Sequence, residues 1–271
     1  LNNGTSNPFS GVVGTDIGDE DTGSFDLALG DVDGDGDLDL VAPDRDMGTP
    51  NKLYLNNGTA DPFSGVVGIN IASDSDRAIT VALGDIDRDG DLDLVAGNTN
   101  DAADEGRGTR YYLNNGTSDP FEGVTGRDIE AGTYSVQSIK LGDVDHDGDL
   151  DLVAGNGDIN GQPGQENRLY LNNGTADPFA NTVGIDITSD ILDSYSIVLA
   201  DLDGNGSLDV VSGSGSIQQP NRYYLNNHAP ITFGNVSGSD ITPEIRETSA
   251  IAVGDVDRDG DPDLVAGNFG Q

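Results

Sequence analysis

Five acidic segments of this chain carry oxygen-bearing side chains at every second position. They read DVDGDGDLD from Asp31, DIDRDGDLD from Asp85, DVDHDGDLD from Asp143, DLDGNGSLD from Asp201 and DVDRDGDPD from Asp255. In an extended or turning backbone, side chains two residues apart point the same way, so several carboxylates can converge on one hard cation. The glycine at position six permits a sharp turn that returns the carboxylate at position nine to the same ion. The spacing predicts one Ca²⁺ site in each segment, about five ions in all.

An EF-hand, a calcium-binding loop between two helices, is an alternative interpretation of this spacing. That motif needs a glutamate at position twelve of its loop. The residues at position twelve are Ala42, Ala96, Ala154, Ser212 and Ala266. The sequence therefore excludes this alternative.

A second motif recurs in step with the acidic segments. LNNGT begins at Leu1, Leu55, Leu113 and Leu171, and a decayed form, LNNHA, begins at Leu225. The distance from each of these leucines to the next acidic segment is constant. We therefore divide the chain into the units 1–54, 55–112, 113–170, 171–224 and 225–271, which form one domain, either complete or part of a longer protein.

Each repeat unit is predicted to form four short strands. Around the third acidic segment they cover 135–141, 150–154, 167–171 and 183–187, which are apolar or alternating runs bounded by turn residues. Units of this size with four strands are typical of β-propeller blades, and neighbouring blades must stack to bury their faces. The sequence predicts an all-β fold, a β-propeller of five four-stranded blades. We expect residues near Leu1 to complete the last blade and close the ring.

The acidic loop, set between a strand ending in ALGD and a strand reading DLVAGN, resembles the FG-GAP (VCBS-type) repeats. These build the β-propellers of integrin α-subunits and of many secreted bacterial proteins. The resemblance covers essentially the whole chain. It implies calcium in the loop between the first and second strands of each blade. It also implies side-chain ligands at positions one, three, five and nine, and a backbone carbonyl ligand at position seven.

The resemblance assigns five sets of calcium ligands to this sequence. The fourth set has Asn and Ser in place of two aspartates, and we expect it to bind most weakly. The sets, with the carbonyl donor last in each, are Asp31, Asp33, Asp35, Asp39 and Asp37; Asp85, Asp87, Asp89, Asp93 and Asp91; Asp143, Asp145, Asp147, Asp151 and Asp149; Asp201, Asp203, Asn205, Asp209 and Ser207; Asp255, Asp257, Asp259, Asp263 and Asp261.

Two positions recur on the third strand of the repeat. Tyrosines at one of them are predicted to pack between blades, and basic residues two positions earlier are predicted to form structural ion pairs. They are Tyr54, Tyr112, Tyr170 and Tyr224, and Lys52, Arg110, Arg168 and Arg222.

The asparagine of each N-G-T triplet has two interpretations. Asn3, Asn57, Asn115 and Asn173 match a glycosylation acceptor. An Asn-Gly hairpin turn with positive φ at both residues is favoured instead, because the pair recurs in register with the strands.

Composition restricts the partners of this chain. Its formal net charge is −37, with 49 acidic against 12 basic residues, which disfavours nucleic acid and anionic membranes. No apolar run is long enough for membrane insertion, and there is no cysteine for disulfides. Calcium loops of extracellular modules need about 10⁻⁴–10⁻³ M free calcium. We therefore expect an extracellular or cell-surface location.

No constellation of catalytic residues is visible in the sequence. Catalysis needs a non-repeated group of residues with tuned pKa values. His146 and His228 are the only histidines, and neither has a neighbouring Ser or Cys nucleophile. We therefore predict that the chain is not an enzyme.

One loop of the repeat varies in length, which is typical of binding loops on a fixed frame. Residues 43–51 and 213–221 are shorter versions of 97–109 and 155–167. Propeller geometry puts these loops on the face opposite the calcium segments, where we predict a protein or glycan ligand. The residues of the predicted rim are Asp101, Asp104, Glu105, Asp158, Asn160 and Glu166.

The leading prediction is a non-enzymatic binding or adhesion module. Two alternatives remain open. One is a self-associating structural unit of an extracellular assembly. The other is an accessory propeller of a secreted polysaccharide-degrading enzyme.

Overall fold

A computed structural model describes most of the chain, and within the described residues every regular element is a β-strand. The strands are β1 (Ala28–Gly30), β2 (Asp39–Ala42), β3 (Lys52–Tyr54), β4 (Ile69–Asn70), β5 (Ala78–Gly84), β6 (Asp93–Asn98), β7 (Arg110–Tyr112), β8 (Arg127–Asp128), β9 (Val136–Gly142), β10 (Asp151–Asn156), β11 (Arg168–Tyr170), β12 (Ile185–Asp186), β13 (Ser194–Ala200), β14 (Asp209–Ser214), β15 (Pro220–Tyr224), β16 (Ser239–Ile245), β17 (Thr248–Gly254) and β18 (Asp263–Asn268). The described residues are 1–18, 23–46, 48–73, 77–99, 108–130, 134–157, 164–216, 219–227, 233 and 236–269.

The strands form antiparallel sheets that follow the repeat. Four sheets have four strands in chain order, β1–β4, β5–β8, β9–β12 and β13–β16, and a fifth sheet pairs β17 with β18. This confirms an all-β chain built from small sheets, one for each repeat. The strands predicted around the third acidic segment match β9 to β12 within two residues at each end.

The prediction of four strands in every sheet is wrong for the last sheet. Two strands of it lie in the described part of the chain, and residues 1–18 contain no strand. The start of the chain therefore does not complete the last sheet in this structure, and no closed ring is seen among the described residues. The physical reason lies in the packing of this segment: Leu1 and Val13 are 71 % and 84 % exposed, and Gly18 lies against Tyr54 of the first sheet.

Apolar clusters join the first sheet to the second, the second to the third and the third to the fourth. They confirm the predicted packing between sheets for Tyr112, Tyr170 and Tyr224, whereas Tyr54 is buried in a cluster with Leu40 and Ala42 of its own sheet. Sheets one and two share Leu53, Ile71, Leu94, Tyr112 and Phe121; sheets two and three share Val95, Tyr111, Ile139, Tyr170 and Phe179; sheets three and four share Val153, Leu169, Ile197, Tyr224 and Phe233.

The three arginines of the third strands form the predicted ion pairs with the fourth strands, and Lys52 donates a hydrogen bond to the Asn70 side chain at 2.8 Å. Arg110 Nε lies 2.8 Å from Asp128 Oδ1, and Arg168 Nη1 lies 2.8 Å from Asp186 Oδ1. Arg222 repeats this pairing in the fourth sheet. These pairs fix the outer strand, which has only two residues in the first three sheets.

The N-G-T segment forms a turn, but not the predicted two-residue hairpin. Of Asn57 and Gly58, only the glycine has a positive φ, 69°. The Asn57 side chain accepts a hydrogen bond from the Thr59 N–H (3.0 Å) and donates one to the Asp61 carbonyl (3.1 Å). The asparagine side chain takes the place of backbone turn bonds, which explains why the residue recurs.

Substitution of a glycine between two sheets should test this packing. A β-carbon at Gly142 would lie 2.7 Å from Leu208 Cδ1, whereas Gly254, its counterpart in the last sheet, has no atom within 4 Å of that position. Because overpacking a core costs about 1–3 kcal/mol, we expect Gly142→Val to lower the free energy of unfolding by that amount in urea titrations. Gly254→Val is the matched control and should change it by less than about 0.5 kcal/mol. Equal effects of both changes would contradict the packing described here.

Candidate metal centres

Each acidic segment is the loop between the first and second strands of one sheet. Glycine at position six has a positive φ in all five loops, for example 95° at Gly36 and 90° at Gly148. Position four also has a positive φ, even where the residue is Arg88, His146 or Arg258. Two left-handed residues so close together fold nine residues back on themselves.

The turn brings carboxylates together in every loop. In the first four loops, one oxygen from each of positions one, three and nine lies within 4.8 Å of the others. In the fifth loop the group is formed by positions one, three and five instead. The groups are Asp31, Asp33 and Asp39; Asp85, Asp87 and Asp93; Asp143, Asp145 and Asp151; Asp201, Asp203 and Asp209; and Asp255, Asp257 and Asp259.

The position-nine carboxylate is held in place by backbone N–H groups. Asp93 accepts hydrogen bonds from the N–H of Ile86 (3.0 Å) and of Asn114 (2.8 Å). Asn114 belongs to the LNN motif, and Asn56, Asn172 and Asn226 make the same bond in their own sheets. Sequence reasoning missed this role of LNN, although its constant distance from the acidic segments was the signal.

The predicted ligands at positions five and seven behave differently from those at one, three and nine. The Asp35 side chain accepts the N–H of Asp37 at 2.9 Å and so stabilises the turn, and Asp89, Asp147 and Asn205 repeat this bond. At position seven, the Asp149 side chain instead lies 2.6 Å from Arg88 Nε of the preceding loop. At the next loop, the Ser207 hydroxyl oxygen lies within hydrogen-bonding distance, 2.9 Å, of His146 Nε2 in the preceding loop.

Burial makes these carboxylates costly to ionise without a cation. Asp93 and Asp151 are fully buried. Burial and, to a smaller extent, the neighbouring carboxylates together raise the pKa of each to about 7, against two backbone hydrogen bonds that lower it. Burial also raises the pKa of Asp39 and of Asp209. Groups of this kind are stabilised by a bound cation, by a proton, or by both in competition.

Three of the loops contain a buried carboxylate oxygen with no hydrogen-bond partner among the described residues. These oxygens are Oδ1 of Asp31, Asp85 and Asp143. The other oxygen of each accepts the N–H of the position-six glycine. Since an unpaired buried oxygen is costly, and three carboxylates converge beside it, these residues fit a hard divalent cation.

The fourth and fifth loops fit a cation less well. Both oxygens of Asp201, and both of Asp255, accept backbone N–H groups. The carboxylates grouped in the fifth loop are also all exposed. Asp263 accepts the Val256 N–H at 2.8 Å but lies outside the group. The structure thus adds the fifth loop to the fourth, which the sequence predicts to be the weakest.

Restoring the missing carboxylate should strengthen the fourth site. We expect Asn205→Asp to raise the affinity of that loop for calcium about tenfold, because one more carboxylate at short range adds about 1–2 kcal/mol. Isothermal titration calorimetry of the variant should show one additional site of higher affinity. Asn205→Gln is the control for general disturbance, since it changes the same side chain and adds no charge. A titration curve of Asn205→Asp that matches the parent would contradict the assignment of position five.

The segment that contains the first two acidic loops is similar to a known family of repeats. Residues 31–96 match the model of a family described as "FG-GAP-like repeat". Residues 31–96 are therefore similar to an FG-GAP-like repeat. The match runs from the first acidic loop into β6 and confirms the resemblance that the sequence motifs indicate.

A solved structure is also similar to this chain. It is titled "Crystal structure of the V. cholerae biofilm matrix protein Bap1", with a TM-score of 0.46 and 17% identity over 89% of this chain. The chain spans about a third of that protein, 34% of its length. No curated protein matches the chain. No helix among the described residues is long and apolar enough to cross a membrane.

Most of the predicted ligand rim falls where the structure gives no description. Asp101, Asp104, Glu105, Asp158 and Asn160 lie outside the described residues, as does His228. Glu166 is described and half-buried, and its carbonyl accepts a hydrogen bond from the Asn156 side chain at 2.6 Å. The rim therefore stays a prediction.

Proposed function

We propose that this chain is a calcium-binding extracellular module whose sheets are blades of a β-propeller arrangement. The observation that carries the proposal is the buried carboxylate oxygen left without a hydrogen bond at position one of three loops, beside two further carboxylates. A calcium ion supplies what that oxygen lacks, and position five and the position-seven carbonyl complete its coordination.

The role of calcium in this proposal is structural. Each loop joins the first and second strands of a sheet, and its position-nine carboxylate also holds the LNN segment of the same sheet. An ion in the loop therefore fixes three segments of one sheet. Without cysteines, the chain has no disulfides to do this, and the millimolar calcium outside cells suits loops of this class.

The working surface is proposed to lie opposite the calcium loops, and the partner to be a protein or a glycan. The strongly acidic charge of the chain favours a neutral glycan or a basic protein patch over nucleic acid or an anionic membrane. The variable loops at 97–109 and 155–167 would form the contact. We propose binding rather than catalysis, in line with an adhesion role.

The test separates calcium binding from ligand binding. Tb³⁺ luminescence and calorimetry should first detect at least the calcium sites of the first three loops. Absence of binding of both ions would overturn the proposal. Screening on a glycan array and on basic proteins should then identify a ligand. A variant with both long loops shortened to the form of 213–221 should keep its calcium sites and lose the ligand. Unchanged binding would place the contact elsewhere, and turnover of polysaccharide by the purified chain would favour the enzyme alternative.

A specific observation favours the second candidate, a self-associating structural unit. Large apolar side chains are exposed on the first and the last sheet, including Leu29 at 61 % and Val265 at 57 %. The corresponding residues of the inner sheets are buried or half-buried.

A further inference from the structure

Neighbouring sheets are joined through a glycine at the end of the first strand. We call such a glycine a socket, because side chains of the following sheet fill the space beside it, and we call those side chains knobs. A β-carbon at Gly30, Gly84 or Gly142 would lie 2.7–3.0 Å from two leucine Cδ1 atoms of the following sheet. One leucine precedes the glycine of that following sheet, and the other occupies position eight of its acidic loop. The pairs are Leu83 and Leu92 on Gly30, Leu141 and Leu150 on Gly84, and Leu199 and Leu208 on Gly142.

The joint between the fourth and fifth sheets shows that these volumes are matched. Its glycine is replaced by Ala200, and the two residues that correspond to the leucines are Val253 and Pro262. The extra methyl group of the socket is thus offset by smaller side chains in the following sheet. This is what close packing requires, because the socket has no spare space.

A second glycine socket lies on the second strand. A β-carbon at Gly155 would lie 2.5 Å from Ile197 of the following sheet, and one at Gly213 would lie 2.8 Å from Ile251. Gly97 receives Ile139 in the same way. The joints between sheets two and three and between sheets three and four therefore have two glycine sockets on one sheet and three apolar knobs on the next. At the first joint Pro43 takes the place of the second glycine.

The two ends of the chain carry unmatched halves of this joint. On the last sheet, Gly254 has no atom within 4 Å of a β-carbon, and Gly267 has only atoms of its own first strand. We call these two glycines the tail face. On the first sheet, the three knob positions are Leu27, Leu29 and Leu38, which are 59 %, 61 % and 57 % exposed. We call these three leucines the head face.

Polar links across the inner joints also have matching halves at the two ends. The Asn114 side chain donates a hydrogen bond to the Val32 carbonyl in the loop of the preceding sheet, at 2.8 Å. Asn172 and Asn226 repeat this bond at the next two joints. The counterparts at the ends are Asn56 in the first sheet and the Val256 carbonyl in the last loop.

An ion pair can complete the same joint. Arg88, at position four of its loop, pairs with Asp149, at position seven of the next. The last loop has Arg258 at position four, with the same positive φ (68°) as Arg88 (61°). The first loop has Asp37 at position seven. The head and tail faces therefore agree in shape, in hydrogen-bonding groups and in charge.

We propose that the tail face of one copy of this chain binds the head face of a second copy. The contact continues the row of sheets across two molecules and reproduces the joint of sheets one to four. The two faces of a single chain do not meet, since Leu29 and Leu38 remain exposed and the Gly254 socket has no neighbour. Such a contact joins two different surfaces, so it produces rings or linear assemblies.

Two blocked variants test the proposal in calcium-containing buffer with about 0.5 M NaCl, which screens the repulsion between acidic copies. The head variant carries Leu29→Ser and Leu38→Ser. The tail variant carries Gly254→Leu, which fills the socket at a position where a β-carbon has no atom of its own chain within 4 Å. In sedimentation velocity, the parent should associate as its concentration rises, and each variant alone should bind at least about a hundredfold more weakly. An equimolar mixture of the two variants should form a dimer and nothing larger, since one head and one tail remain.

Compensating substitutions test the geometry of the contact. Gly254→Ala alone should weaken association about tenfold or more. Addition of Leu29→Val and Leu38→Pro should restore it, because these residues reproduce the native joint of Ala200, Val253 and Pro262. Val183→Ser is the matched control, since Val183 is 71 % exposed and lies on neither face.

Three results would overturn the proposal. One is a parent chain that stays monomeric at every concentration. Another is a mixture of blocked variants that does not dimerise. The third is a monomer whose melting temperature falls equally in the head and tail variants, because that would show closure of the ring within one chain. This inference deepens the second candidate, the self-associating unit. Since calcium binding is measured separately, a failure here counts against that candidate and leaves the proposed calcium-binding module unaffected.

Discussion

Removal of calcium with EGTA should lower the melting temperature of this chain by roughly 10 °C. The first three loops are expected to bind calcium with affinities in the extracellular range. A ligand at a few millimolar then contributes about 1–2 kcal/mol at each site. For a chain of this size, each kcal/mol corresponds to about 2–4 °C. The converging carboxylates left behind would also repel each other, which adds to the loss.

Differential scanning calorimetry with and without EGTA measures this effect. Magnesium is the matched control, because it keeps its water and prefers a smaller octahedral site, so it should restore only a small part of the stability. Asp143→Asn should remove about a third of the calcium effect, while Asp255→Asn in the exposed fifth loop should remove little of it. A melting temperature that EGTA does not change would rule out a structural role for calcium.

Raising the pH from 5 to 8 should destabilise the calcium-free protein and stabilise the calcium-bound one. In the calcium-free state, burial raises the pKa of Asp93 and Asp151 from an ordinary value of 3.8 to about 7. The folded state then holds more protons than the unfolded state between these two values, so the free energy of unfolding falls as the pH rises through this window. With calcium bound, the ion competes with the same protons, so stability increases as they leave.

Urea titrations across this pH range, with calcium and with EGTA, should therefore give slopes of opposite sign. Asp93→Asn and Asp151→Asn each remove one titrating group and should flatten the EGTA curve. Each substitution also removes one of the two backbone hydrogen bonds that the carboxylate accepts. Both variants should therefore be less stable than the parent at every pH. Curves of equal slope with calcium and with EGTA would contradict the assignment of these buried carboxylates to the site.

The acidic loops could be predicted because their chemistry is local. Nine consecutive residues contain the alternating carboxylates and the glycine that turns them, so no distant contact is needed to bring positions one and three together. The strands on either side were predictable for the same reason, since short apolar runs bounded by turns recur in each unit. The contact between Asp149 and Arg88 could not be foreseen, because it depends on how two separate loops face each other.

The relation between loops and the LNN motif needed the tertiary structure. The sequence shows that the two motifs keep a constant distance, but not that the N–H of Asn114 donates to Asp93. The same holds for the Asn114 side chain, which reaches a different sheet at Val32. Bonds between segments so far apart in sequence depend on strand pairing and on the stacking of sheets, and neither is encoded in a local pattern.

The repeated DLVAGN strand separates most clearly what the sequence by itself determined from what only the tertiary structure decided. The same six residues form β6, β10 and β18, and in all three the sequence determined a strand that follows an acidic loop. Val95 and Val153 are completely buried in two of them, whereas Val265 is 57 % exposed in the third. Local sequence determines whether these residues form a strand, because backbone preference and turn residues act over a few positions. Burial depends on whether another sheet covers the strand, and the last sheet has no neighbour on that side among the described residues.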